Sequence, residues 1–167
     1  MPKYPPLPDH LKTQLASIQP SEEPYLGVKY YPCIVTLKAV RRQDFVYVVQ
    51  AEPWHRLWGV WPEEDSGKRE IQIRDVVSVE DSPSRLPPQF ANELYEAGES
   101  GMGYTIFTVT FRDGSQQAFG SGNAIDFIVY PPGQSKETVV EVIPHLGRED
   151  PGRQSAQDYY WCLVDTI

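Results

Sequence analysis

Cys33-Ile34-Val35-Thr36-Leu37-Lys38-Ala39-Val40, then Arg41-Arg42-Gln43-Asp44, then Phe45-Val46-Tyr47-Val48-Val49-Gln50-Ala51 follow one another without a break. The outer runs are dense in β-branched and aromatic side chains, which pack well on a pleated surface. The four residues between them are polar or charged. The reading is strand, turn, strand. The second run is apolar on both faces over much of its length, which predicts a central strand covered on both sides, or a barrel wall.

Working outward, Tyr25 to Val40 reads as one strand interrupted at Pro32, preceded by a polar turn over Ser21-Glu22-Glu23-Pro24. Before it, Leu11, Leu15 and Ile18 share one face of a short helix that Asp9 caps and Pro20 ends. Residues 1–8 form an extended proline-rich lead. Downstream, Glu70 to Val79 begins with Ile71 and Ile73 on one side. Residues 84–100 hold a helix with Pro87-Pro88 in its first turn and an apolar stripe of Phe90, Leu94 and Tyr95. Tyr104 to Phe111 alternates as a half-buried strand does. Asp113-Gly114 predicts a type I′ hairpin back into Gln116–Phe119. Ala124 to Tyr130 and Thr138 to Ile143 read as strands, residues 144–157 as a mobile loop, and Tyr159 to Ile167 as a terminal strand packed into the sheet.

The 16 prolines, roughly twice average usage, cluster between these runs and mark many short elements joined by stiff loops. The lack of alternating strand–helix units argues against a doubly wound parallel sheet. The expected class is α+β, mostly antiparallel β: a curved or small barrel-like sheet with one or two short helices against it. Residues 9–167 are expected to form a single globular domain.

The chain of 167 residues carries 15 Lys and Arg against 23 Asp and Glu, a formal net charge of -8. That balance argues against a nucleic-acid partner, which needs a basic surface to release phosphate counterions. No apolar run approaches the roughly 20 residues of a membrane span. The amino-terminal residues have no apolar core of a secretory signal, so the expected location is cytoplasmic. Cys33 and Cys162 then read as reduced, buried, apolar residues.

The usual signatures of chemistry are missing. His10, His55 and His145 lack metal-ligand spacing, and neither cysteine has a second cysteine nearby. Gly98-Glu99-Ser100-Gly101 and Phe119-Gly120-Ser121-Gly122 each miss a nucleophile elbow by one position. Gly98, Gly101 and Gly103 run from helix into strand, the wrong direction for a phosphate cradle. Asp113-Gly114-Ser115 lacks the later ligands of a calcium loop. No cofactor or metal is expected.

The most informative segment is Trp54 to Asp65. Trp54, Trp58 and Trp61 stand with His55 and Arg56, and Glu63, Glu64 and Asp65 follow at once. The tryptophans read either as core or as an aromatic patch rimmed by acids. A helical turn puts all three on one side; a strand puts Trp61 opposite the other two. As a patch, Trp54, Arg56, Trp58, Trp61, Glu63, Glu64 and Asp65 form a binding surface. Trp and Arg serve as anchors, and the acids steer a basic protein partner. A non-catalytic, acidic, protein-binding module is the leading expectation, such as one that neutralises or adapts a basic partner in the manner of an immunity protein. The alternatives are a small-molecule-binding β-barrel with a tryptophan-lined cavity, and an enzyme whose site forms only in the fold from Asp126, His55 and His145. Ser121-Gly122-Asn123 with Asp126 is a second candidate surface, and reads more simply as a turn.

Overall fold

The computed structural model describes residues 2–146, 154–155 and 158–167. In chain order the elements are α1 (Asp9–Ala16), β1 (Ser21–Glu23), β2 (Val28–Leu37), β3 (Arg41–Gln50), α2 (Ala51–Trp58), β4 (Arg69–Glu70), β5 (Val76–Asp81), α3 (Pro88–Ala97), β6 (Thr105–Phe111), β7 (Gln116–Ser121), β8 (Val139–Pro144), β9 (Gln154–Ser155) and β10 (Tyr160–Val164). They fall into two compact units: residues up to 82 together with 158–167, and residues 83–157.

In the first unit β2 is the axis of the sheet. β3 pairs antiparallel along one side of it, with Cys33 opposite Val46 and Thr36 opposite Arg42. The other side is shared: β1 takes the residues from Val28 to Tyr30, and β5 those from Cys33 to Leu37. β10 joins the far side of β3, and β4 joins β10, both in parallel. The expectation that β3 is central and covered on both faces holds: Val46, Tyr47, Val48 and Val49 are all buried.

One face of this sheet carries Cys33, Val35, Val46, Val48, Cys162 and Val164, and Leu7, Leu11, Leu15 and Ile18 close over it. Leu11 and Leu15, four apart, supply the buried side of α1. Asp9 does not cap the helix. It is the first helical residue, its side chain makes no capping bond, and the Pro8 carbonyl accepts from Leu11 and Lys12. The carboxylate still lies in the first turn, where the helix dipole favours it. The proline-rich lead is tied down: Leu7 donates to the Thr166 carbonyl, Asp165 donates to that of Pro5, and Tyr4 and Leu7 are buried.

The pairing of β2 with β3 slips between Cys33 and Val35. Asp44 and Phe45 on β3 lie opposite a single residue there, as in a β-bulge. Phe45 takes φ 61°, a left-handed value that a bulky residue rarely adopts. Asp44 Oδ1 secures the bulge, accepting from the Phe45 N–H at 2.7 Å and the Ser82 hydroxyl at 2.6 Å.

The second unit is a four-stranded sheet in the order β8-β6-β7-β9. Its core joins Phe107, Val109, Phe111, Phe119, Val139 and Val142 of the sheet to Ala91 and Leu94 of α3 and to Leu86, Ile125 and Ile128. The Asp113-Gly114 hairpin forms, but not as type I′, which needs positive φ at both residues. Only Gly114 has it, at 86°, and Phe111 pairs with Ser115 around a three-residue loop. Asp113 Oδ1 takes up the loop instead, accepting from both the Ser115 N–H and its hydroxyl. The predicted strand over Ala124 to Tyr130 is absent: only Phe127 bridges, to Arg85, although the run from Ala124 to Ile128 is buried. Of the loop expected over 144–157, residues 147–153 and 156–157 lie outside the described residues, while β9 pairs with β7 in parallel.

The α+β class with mostly antiparallel β stands. Among the described residues, the expected single curved or barrel-like sheet is replaced by two sheets, neither closed into a barrel, with three α-helices. Both sheets are mixed, because β9 and β10 return from distant sequence and add in parallel. An open sheet also removes the β-barrel from the small-molecule alternative.

Candidate functional site

Side chains alternate across a strand, so the residues between the α1-facing positions of β3 and β10 point to the opposite face. These include Tyr47 and Trp161, which are paired in register. Their rings stack with centroids 5.0 Å apart. Tyr30 of β2 lies 5.4 Å from Tyr47 and 5.9 Å from Trp161. Tyr159 meets both of the latter edge-on.

α2 lies over this layer. Pro53 sits in its first turn, where a missing N–H costs little. Gly59 ends it at φ 81°, donating to the His55 carbonyl, a turn that glycine adopts without strain. Trp54 and Trp58, four apart on one helical face, stack 6.0 Å apart, and each meets Trp161 edge-on. Trp58 Nε1 donates to the Tyr30 hydroxyl at 3.1 Å. Trp61 follows the helix and still joins the stack, 6.3 Å from Trp54, with His55 at 4.0 Å and Tyr4 at 5.6 Å. The helical alternative of the sequence reading is realised for Trp54 and Trp58, while Trp61 lies beyond the helix in extended backbone. All four tryptophans of the chain belong to this one layer.

The predicted binding residues therefore separate. Trp54 is fully buried and is core. Trp58 and Trp61 are half-buried at the edge. Arg56 lies on the exposed side of α2, 2.5 Å from Glu52. Glu64 turns inward on its own backbone, its carboxylate accepting from the Trp61 N–H at 3.0 Å.

Glu63 and Asp65 each hold a lysine against a tryptophan. Lys3 Nζ lies 2.5 Å from Glu63 Oε1 and 5.3 Å from the Trp61 ring centre. Lys68 Nζ lies 2.5 Å from Asp65 Oδ2 and 5.6 Å from the Trp58 ring centre. The Lys68 bond, with one from the Gly67 N–H, lowers the Asp65 pKa. Each arrangement is an ammonium between a carboxylate and an indole face, and both attractions favour a cation.

Sequence reasoning missed Tyr4, Tyr30, Tyr47, Trp161, Glu70, Lys3 and Lys68. Only strand parity could have united Tyr47 with Trp161, and that required knowing that β10 pairs with β3. Glu70 is opposite Trp161 in the β10–β4 pair. Its carboxylate accepts a hydrogen bond from Tyr4, whose hydroxyl pKa is raised by burial and then by that bond and the charge of Glu70.

The residues suspected of catalysis lie in different settings. His55 is stacked on Trp61 in the first unit. In the second, Asp126 is fully buried and accepts from the Tyr95 hydroxyl, while His145 Nε2 is 2.7 Å from Thr108 Oγ1. Ser121 Oγ donates to the Ala124 carbonyl at 2.7 Å, as a turn residue does. Among the described residues no group of three or more His, Cys, Asp or Glu is placed to hold a metal, and no helix is long and apolar enough to cross a membrane.

Fold and site together define an α+β protein whose tryptophans form a single layer edged by lysine–carboxylate pairs. No protein-family model, curated protein or solved structure matches the chain.

Proposed function

We propose that the chain is a non-catalytic protein-binding module that receives lysine or arginine side chains of a basic partner at Trp58 and Trp61. The observation that carries this reading is the repeated lysine–tryptophan–carboxylate arrangement, in which the chain's own Lys3 and Lys68 occupy the positions that a partner's cations would take. A partner exchanges its basic groups for these two. The net charge of -8 supports encounter with a basic surface and disfavours nucleic acid. Neutralising such a partner, as an immunity protein does, is one use of this surface. Cys33 and Cys162, buried thiols that form no disulfide, suit a reducing compartment such as the cytoplasm.

The test is capture of partners from the source organism's lysate at low and moderate salt. A basic protein retained in stoichiometric amount, weakened by salt and lost with Trp58→Ala plus Trp61→Ala, is the expected result. Retention that is indifferent to both variants and to salt would overturn the reading.

A further inference from the structure

The two lysine–tryptophan–carboxylate arrangements differ in how firmly the lysine is held. Lys68 and Asp65 belong to one turn. The Lys68 N–H donates to the Asp65 carbonyl at 3.0 Å, its ammonium donates to Oδ2 of the same residue, and Asp65 Oδ1 also accepts from the Gly67 N–H. The Lys68 side chain is only 14% exposed. Lys3 instead comes from the proline-rich lead and meets Glu63, 60 positions away. The Lys3 side chain is 38% exposed and that of Glu63 57%. An ion pair this open to water contributes little. The lead is seated by other contacts. Tyr4 and Leu7 are buried, and Tyr4 is hydrogen-bonded to Glu70. Leu7 donates to the Thr166 carbonyl and Asp165 to that of Pro5. All of these anchors lie on one side of Lys3, so its ammonium can leave Trp61 while the lead stays in place.

We propose that Lys3 is a built-in competitor for the Trp61 site. The lead holds its ammonium between the Trp61 ring and the Glu63 carboxylate, and a partner's cation binds there by displacing it. The inference rests on the basic-partner reading and adds the regulation of that surface: Lys3 gives way first, and its occupancy sets the affinity. A protein whose binding-competent state is only partly populated binds more weakly by that fraction. The tether gives Lys3 an effective concentration of roughly millimolar. A lone ammonium ion competes poorly with that, whereas a segment bearing several basic side chains competes well.

The experiment titrates the full chain into a fluorescein-labelled hexalysine peptide and follows polarisation. Lys3→Ala should tighten binding about fivefold, the contribution of an exposed ion pair and one cation–π contact. Lys12→Ala makes the same change of net charge at an exposed lysine that pairs with Asp9, and should leave the affinity nearly unchanged. In a Trp61→Ala background Lys3→Ala should bring no gain, because no site remains to be opened. Should Trp61→Ala fail to fold, Glu63→Gln on the exposed rim serves as that background. Equal effects of Lys3→Ala and Lys12→Ala would overturn the inference, since charge alone then accounts for both; binding still lost with Trp58→Ala plus Trp61→Ala would leave the basic-partner reading standing. Binding indifferent to that pair of variants would overturn both.

Discussion

Trp161 and Tyr47 face one another across the parallel β10–β3 pair, their ring centroids 5.0 Å apart and their planes inclined by 27°. One residue is near the end of the chain and the other lies in its first third. Their contact is where the carboxy-terminal strand is locked into the first sheet. Trp161 also touches Tyr30, Trp54, Trp58 and Tyr159, so it is the hub of the aromatic layer.

Trp161→Ala should therefore destabilise the protein by about 3–5 kcal/mol, the usual cost of emptying a buried aromatic position. Urea unfolding followed by circular dichroism measures this. A loss under about 1 kcal/mol, below the range for a well-packed large side chain, would show that the layer collapses around the gap.

Val40 presents the opposite case. It is 88% exposed in the turn between β2 and β3 and takes φ 55°. A left-handed conformation costs an L-residue about 1–2 kcal/mol, and a β-branched side chain has no packing there to offset it. Glycine relieves the strain but loses more entropy on folding. Val40→Gly should raise stability by about 0.5–1 kcal/mol net. A lower urea midpoint than wild type would refute this.

Tyr95 supports buried polar structure in the second unit. Its hydroxyl donates to the buried Asp126 carboxylate and accepts from the Ile125 N–H at 3.3 Å. Tyr95→Phe removes both bonds while keeping the ring. It should cost about 1–3 kcal/mol, because a buried acceptor loses its donor. An unchanged midpoint would mean that other groups satisfy Asp126 fully.

What the sequence made legible was local. The β2–β3 hairpin, α1, α3, β6 and β10 all follow from short-range pattern and turn residues. The misreadings arise where distant segments decide. Ala124 to Ile128 has strand composition and is buried, yet it finds only one bridge, to Arg85. β9 and β10 add in parallel, which no local pattern announces. At the site, tryptophan spacing allowed a helical face, and α2 supplies it for Trp54 and Trp58 but not for Trp61. The lysines over Trp58 and Trp61 were not legible, because Lys3 is 58 positions from Trp61 and depends on a lead held down by Tyr4 and Leu7.

Alkaline pH should unfold the protein through its buried acids. Burial, with a smaller effect from Glu70, pushes the Cys162 thiol from an ordinary 9.0 up to about 12. Burial likewise raises the hydroxyls of Tyr4 and Tyr130 above their ordinary 10.0. In the folded protein these groups keep protons that the unfolded chain releases. The unfolded state then binds fewer protons, so stability is full below pH 9 and falls as pH rises toward 12. Each group contributes a slope of about 1.4 kcal/mol per pH unit within its own window. Between pH 9 and 10 Cys162 contributes more than any single tyrosine, since the thiol of the unfolded chain ionises around 9.0 and the raised tyrosines, Tyr31 among them, only around 10.0. Urea midpoints across that interval should decline for wild type and decline less steeply for Cys162→Ala, whatever that variant costs at neutral pH. Parallel curves for the two proteins would show that the thiol is not the group responsible.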